Sequence, residues 1–216
     1  MPCYDLCVIT KNAENLARTH LDVARAALEG GATIIQFRDK TLSGRELVEI
    51  ACALRALTRA LRATFIVNDR VDVALACDAD GVHLGQQDLP IAAARRLLGP
   101  ASLIGASAAT PSEALACEQA GASYLGVGPI FPTPSKADAG EAIGLSALAE
   151  IRRAVRLPLL AIGGITCQNV AEVIAAGADG VAVISAVADA PDMAAAAADL
   201  RRRVREARGS RRAEEQ

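Results

Sequence analysis

Tryptophan is absent from this chain, and aromatic residues number only five: Tyr4, Phe37, Phe65, Tyr124 and Phe131. That is too few for the stacking platforms on which single-stranded nucleic acid lies. Lysine is scarce as well, with Lys11, Lys40 and Lys136 set against twenty arginines, and the formal net charge is −2. A chain so nearly neutral has no electrostatic claim on nucleic acid. No apolar run approaches the ~18 residues needed to span a bilayer, and no signal peptide is expected. The six cysteines (Cys3, Cys7, Cys52, Cys77, Cys117, Cys167) show no C-x-x-C spacing, so neither a zinc site nor a disulfide framework is indicated. Several fall inside apolar patterns, where a thiol behaves as a small hydrophobe. The expectation is a cytoplasmic protein with reduced thiols and with neither nucleic acid nor membrane as partner; a homo-oligomer stays open. Lysine's scarcity has a second use. Where arginine would serve, this chain has arginine, so a surviving lysine draws notice as a compact point charge.

What is present is apolar: just over half the residues, against 22% charged, which suits a globular domain with ample core. Strand-like runs ("YDLCVIT", "ATIIQFR", "TFIVN", "DGVHLG", "SLIGAS", "SYLGVG", "PLLAIGG", "DGVAVIS") alternate with helical patterns starting near Asn15, Ser43, Val71, Pro90, Pro111, Ser146, Cys167 and Pro191. Strands apolar on both faces suit a parallel sheet covered by helices. Every second strand follows a small tripeptide, "GAT" at 31, "DAD" at 78, "GAS" at 121 and "GAD" at 177, a faint repeat of two βα units. Eight such units predict a single-domain, closed (β/α)8 TIM barrel over residues 1–205, with 206–216 as a polar, fraying tail. An open doubly wound sheet is the runner-up, and it lacks a G-x-G-x-x-G after the first strand.

A closed barrel places its active site at the C-terminal strand ends. The second strand ends in "QFRDK", where alternation puts Gln36, Arg38 and Lys40 on one side, suited to a polyphosphate; a solvated end paired through Asp39 is the plainer reading. The third and fourth supply Asn68, Asp69, His83 and Asp88. The two aspartates pair either as a Mg²⁺ site or as helix caps near Val71 and Pro90. His83 reads equally as site-lining or core. The fifth ends at Ser107, as a site hydroxyl or a cap. The sixth feeds "GPIFPTPSK", a proline-stiffened loop with Thr133, Ser135 and Lys136. The seventh and eighth end at Gly163, Gly164, Ile184 and Ser185, a pattern suited to a phosphate held by backbone amides. One cationic anion site and one neutral one would serve an enzyme that joins a diphosphate to a monophosphate.

Taken together, "QFRDK", "NDRVDVALACDADGVHLGQQDLP", "IGAS", "GVGPIFPTPSK", "AIGGI" and "VAVIS" resemble the thiamine phosphate synthase family, in order, from Tyr4 to about Arg205. The resemblance implies coupling of a pyrimidine methyl diphosphate with a (carboxy)thiazole ethyl phosphate, two small-molecule substrates. It implies that Gln36, Phe37, Arg38, Asp39, Lys40, Asn68, Ser107 and Lys136 bind the pyrimidine diphosphate, with His83 beside them, and that Arg38, Lys40, Ser107 and Lys136 carry the chemistry. Asp69 and Asp88 would hold Mg²⁺, while Thr133, Pro134, Ser135, Gly164, Ile184 and Ser185 would bind the thiazole phosphate. One departure is Ala109, where many relatives carry histidine. The alternatives are a thiazole tautomerase-like paralogue, which could dispense with the diphosphate grip, and a non-catalytic phosphate-ligand binder, which needs no metal pair.

Overall fold

Eight short strands, apolar on both faces, close into one parallel barrel in the computed structural model, which describes residues 3–13, 16–135 and 140–214 except the side chains of Arg212 and Glu214. The strands are β1 (Leu6–Thr10), β2 (Ile34–Phe37), β3 (Thr64–Asn68), β4 (Gly81–Leu84), β5 (Leu103–Ala108), β6 (Tyr124–Val127), β7 (Leu159–Ile162) and β8 (Gly180–Val183). Each pairs with its neighbour in sequence, and β8 returns to β1 through Val8↔Val183 and its neighbours. Around them lie α1 (His20–Glu29), α2 (Gly44–Ala60), α3 (Val71–Ala76), α4 (Ile91–Leu98), α5 (Pro111–Gln119), α6 (Gly144–Ala154), α7 (Val170–Ala175), α8 (Ser185–Ala188) and α9 (Met193–Glu214). The expected closed (β/α)8 barrel is thus the observed fold. No helix among the described residues is long and apolar enough to cross a membrane.

Two expected boundaries differ. The helix expected near Asn15 starts at His20, because Thr19 and Asp22 form a reciprocal capping box there that satisfies orphan amides at the helix start; Asn15 itself lies outside the described residues. The boundary expected at residue 206 falls inside α9, which continues to Glu214. Its arginines are engaged: Arg208 bonds Asp5, and Arg211 donates to the carbonyls of Ile174 and Ala178. The short helix α8 has no counterpart in the sequence reading.

The tripeptide repeat has a physical basis at the N-terminal rim. Thr33, Asp80, Ser123 and Asp179 immediately precede β2, β4, β6 and β8. Each side chain accepts the amide of the strand before it: Leu6 to Thr33 (3.2 Å), Phe65 to Asp80 (2.8 Å), Ile104 to Ser123 (3.1 Å) and Leu159 to Asp179 (2.9 Å). Each amide in turn donates to the carbonyl of that same partner residue. Arginines on the outer helices complete three of these knots, Arg55 with Asp80, Arg95 with Ser123 and Arg152 with Asp179.

The core has two parts. One lies between barrel and helices, the other inside the barrel, where Cys7, Ile9, Ile34, Ile66, Tyr124, Leu160 and Ala182 pack together. The interior faces of β5 and β6 carry Gly105 and Gly126, where a Cβ would meet the Tyr124 and His83 rings at under 3 Å. These glycines make room for two rings inside a barrel usually filled by branched aliphatics. All six cysteines are free, and burial pushes the Cys7 thiol up to about 12, so it serves as packing.

Candidate active site

The C-terminal strand ends open onto a cavity of about 700 Å³. Its β2 wall is set by strand alternation. Gln36, Arg38 and Lys40 line the cavity, whereas Phe37 and Asp39 do not. Phe37 is buried on the outer face, with the His20 ring edge-on at 4.9 Å. Asp39 organises the turn after the strand: its Oδ1 accepts from the Thr41 amide, the Thr41 hydroxyl and the Leu42 amide, and its Oδ2 faces His20 Nε2 at 3.1 Å. Burial raises the Asp39 pKa, but these donors outweigh it and hold the carboxyl below its usual range. The span Gln36–Lys40 therefore divides: the side chains of Phe37 and Asp39, which alternate with the cavity-lining set, face away from the cavity. The plainer reading of Asp39 as ion partner of the strand end gives way to its bond with His20.

Opposite lie the two aspartates. Asp69 adopts a left-handed backbone (φ +60°) and donates its amide to the His83 carbonyl, a conformation that aspartate tolerates better than most residues. Asp88 folds back so that its carboxylate accepts the Gly85 amide at 2.6 Å, over a glycine whose Cβ would stand 2.9 Å from that oxygen. Neither caps a helix: the N-caps of α3 and α4 are Arg70 and Pro90, both without a side-chain cap bond. Both carboxyls face the cavity instead. Burial, then the neighbouring Asp88 carboxyl, raise the Asp69 pKa to about 6, against the opposing pull of Lys40 and Arg38. Lys40 Nζ stands 3.9 Å from Asp69. A half-buried carboxyl with a second carboxyl as neighbour forms a place where a cation would be welcome. Among the described residues no third histidine, cysteine or carboxylate joins them. This donor set fits Mg²⁺, which takes one or two carboxylates and fills its remaining positions with water and phosphate oxygens; it does not fit a closed zinc site.

The floor is a polar string. His83 Nδ1 lies 3.3 Å from the Tyr124 hydroxyl and Nε2 lies 3.0 Å from Ser107 Oγ. His83 thus lines the cavity rather than the core. Ser107 is no cap either, since Thr110 caps α5. Asn68 completes this wall.

The far side is hydroxyl-rich. The 128–135 loop packs on the end of β7: Ile130 and Phe131 donate their amides to Ile162 and Gly163. Gly163 and Gly164 take positive φ (98° and 63°), and a Cβ on either would meet the loop under 3 Å. The glycines are therefore what lets the loop lie flat. This contact brings Ser135 Oγ to 2.9 Å from Ser185 Oγ, with Thr133 Oγ1 accepting the Ser135 amide. Thr133, Pro134, Gly164 and Ile184 line the same end. Lys136 lies outside the described residues.

Sequence reasoning missed Tyr124, Gln86 and His20. Gln86 Nε2 donates to the Ser107 carbonyl at 2.6 Å, tying the loop after β4 to the end of β5. The repeated glutamine in "GQQD" was the available signal. At Ala109, the backbone amide is taken by Glu113 Oε2 at 2.7 Å.

Comparison with known proteins agrees with this geometry. A family model described as thiamine monophosphate synthase matches residues 6–187. A thiamine-phosphate synthase of Moorella thermoacetica is 57% identical over 209 residues, covering 97% of this chain and all of the relative. One of Methanoculleus marisnigri is 56% identical over 93% of this chain and 95% of its own length. Among solved structures, a thiamine phosphate pyrophosphorylase of Pyrococcus furiosus superposes with a TM-score of 0.87 at 48% identity, covering 95% of this chain and 98% of that one. A 3-hexulose-6-phosphate synthase at 19% identity and TM-score 0.69 shares the fold alone.

Proposed function

This chain belongs to the thiamine monophosphate synthase family of transferases, and from that premise we propose that it joins 4-amino-2-methylpyrimidine methyl diphosphate to a (carboxy)thiazole ethyl phosphate, giving thiamine phosphate and pyrophosphate, together with CO2 where the thiazole carries the carboxyl. The observation that carries the reading is a cavity with two unlike ends. Arg38, Lys40, Asp69 and Asp88 gather at one, and Ser135, Ser185 and Gly164 at the other.

On this reading Arg38 and Lys40 grip the diphosphate, with Lys136 assigned to the same task by sequence. Gln36, Asn68, His83 and Ser107 hold the pyrimidine, while Thr133, Pro134, Ser135, Gly164, Ile184 and Ser185 take the thiazole phosphate. Asp69 and Asp88 are the residues that would hold Mg²⁺, which when bound neutralises charge on the departing pyrophosphate. The methylene C–O bond breaks with its electron pair leaving on pyrophosphate, and the electron-rich pyrimidine carries the resulting cation. The thiazole nitrogen lone pair then forms the new C–N bond. Little proton transfer is required, so the chain's work is charge neutralisation and alignment of two ligands.

The test is direct. Purified protein given both substrates and Mg²⁺ should release thiamine phosphate and pyrophosphate in equal amounts, and EDTA should stop both. Absence of product with thiazole phosphate still bound would overturn the reading.

A further inference from the structure

The reaction proposed above has no direct use for His20, yet this imidazole is buried (1% exposed) and held at both ring nitrogens. It opens α1 and stands edge-on to Phe37. Its Nδ1 lies 2.8 Å from Thr10 Oγ1 and its Nε2 lies 3.1 Å from Asp39 Oδ2. Thr10 and Phe37 are themselves register partners across β1 and β2, so the ring closes the gap between the ends of two strands. A carboxylate offers only acceptors, so the hydrogen belongs on Nε2 and Nδ1 accepts from the Thr10 hydroxyl. Burial lowers the His20 pKa, and the bond and charge of Asp39 only partly offset it. The link is therefore a directional hydrogen bond from a neutral ring.

Asp39 explains why that direction matters. Its Oδ1 is fully occupied by the three donors of the 41–42 turn, which leaves Oδ2 as the atom that fixes the carboxylate plane. On either side of Asp39 stand Arg38 and Lys40, both facing the cavity. A turn whose central carboxylate is pinned from behind presents its two flanking cations along one line. We propose that His20 is a positioning residue: through Asp39 it sets the direction in which Arg38 and Lys40 meet the diphosphate. The inference rests on the reading that these two cations grip that group.

Two amide substitutions separate this role from packing. In His20→Asn the amide stands where Nδ1 stands and reaches Thr10 alone. In His20→Gln it extends to the place of Nε2 and reaches Asp39. We expect His20→Asn to raise KM for the pyrimidine diphosphate about tenfold, as loss of an orienting partner typically does, with KM for the thiazole phosphate and Tm near those of the parent. His20→Gln should return the first constant to within about twofold of the parent if orientation is what the ring supplies. Equal rises in both KM values, a fall in Tm alone, or identical behaviour of Asn and Gln would overturn the proposal. Arg38→Ala tests the underlying reading separately. If it leaves the pyrimidine diphosphate KM unchanged, the grip lies elsewhere and His20 falls with it. If it raises KM while a folded His20→Asn does not, only the His20 role falls. Should His20→Asn fail to fold, the unsubstituted protein carries the test, since it holds only two histidines. Titration with pyrophosphate and Mg²⁺ should shift the ¹⁵N resonances of the His20 ring; resonances that stay still would overturn the proposal.

Discussion

Asp69 shows how one side chain can be costly and useful at once. Its carboxyl titrates near 6 in the folded protein, above its ordinary 3.8, through burial first and Asp88 next. A raised folded-state pKa means the group favours folding below about pH 4, and that contribution is lost as pH climbs through about 6. In EDTA, Asp69→Asn should therefore melt about 2 °C above the parent at pH 8 and no higher at pH 4, by thermal denaturation. The same variant should lose at least about tenfold in turnover, and Mg²⁺ should no longer raise its Tm. A variant as Mg²⁺-responsive as the parent would remove Asp69 from the metal. At this scale the sequence was readable wherever one strand carried the pattern: Gln36, Arg38 and Lys40 were legible from alternation alone. Phe37 and Asp39 were grouped with them because a family motif is read as a span, while a strand has two faces and theirs is turned from the cavity. His20 left no signal, since its partners Thr10 and Asp39 lie ten and nineteen residues away, brought together only by the β1–β2 pairing.

Among the elements, α9 departs furthest from expectation. Its run of arginines reads as a solvated end because charge at a terminus usually is. The aspartate that needs them, buried Asp5, sits some two hundred residues earlier, and nothing local announces the pairing. Arg201 and Arg208 both reach Asp5, and Arg211 ties α9 to the last turn of α7 and to Asp179. Truncation after Arg205 removes Arg208 and Arg211 but leaves Arg201 beside Asp5, so it should destabilise the protein by about 2 kcal/mol, the order expected when hydrogen bonds to a charged group are lost, read as a lower urea midpoint. A disposable tail would leave the midpoint unchanged. The strands, by contrast, were legible because they are buried on both faces, and α1 began late because Thr19 and Asp22 outrank the apolar pattern before them.

For the molecule as a whole, the knots before β2, β4, β6 and β8 divide stability from chemistry. They lie at the N-terminal rim, and the cavity opens at the other. The chain uses threonine, serine and aspartate interchangeably in this role, so the shared requirement is an oxygen acceptor for one strand-opening amide; charge is added where an arginine stands near. Asp179 makes the distinction testable. Asp179→Asn keeps an acceptor for the Leu159 amide and should cost about 1 kcal/mol, whereas Asp179→Ala orphans that amide and removes the ion partner of Arg152 and should cost about 3 kcal/mol. Chemical denaturation reads both, and kcat of the folded enzyme should stay at the parent value in each. A matching loss of kcat would show that the two rims are coupled. The tripeptide repeat was visible in sequence, but its meaning was not, because the partner of each third residue lies on the preceding strand.

The strand-to-strand bonds of these knots join strands in pairs, and a line drawn between α4 and β5 severs none of those bonds, cutting only the Arg95–Ser123 contact that reaches across from α4. On the first side of that line fall Arg38, Lys40, Asp69 and Asp88; on the second fall Ser135, Gly164 and Ser185. Each half-barrel is thus stitched within itself, and on the proposed reading the first supplies most of the diphosphate grip while the second supplies the thiazole-phosphate end together with Ser107 and Lys136, which serve the first ligand. An acceptor of different shape then calls for a different second half that keeps those two residues.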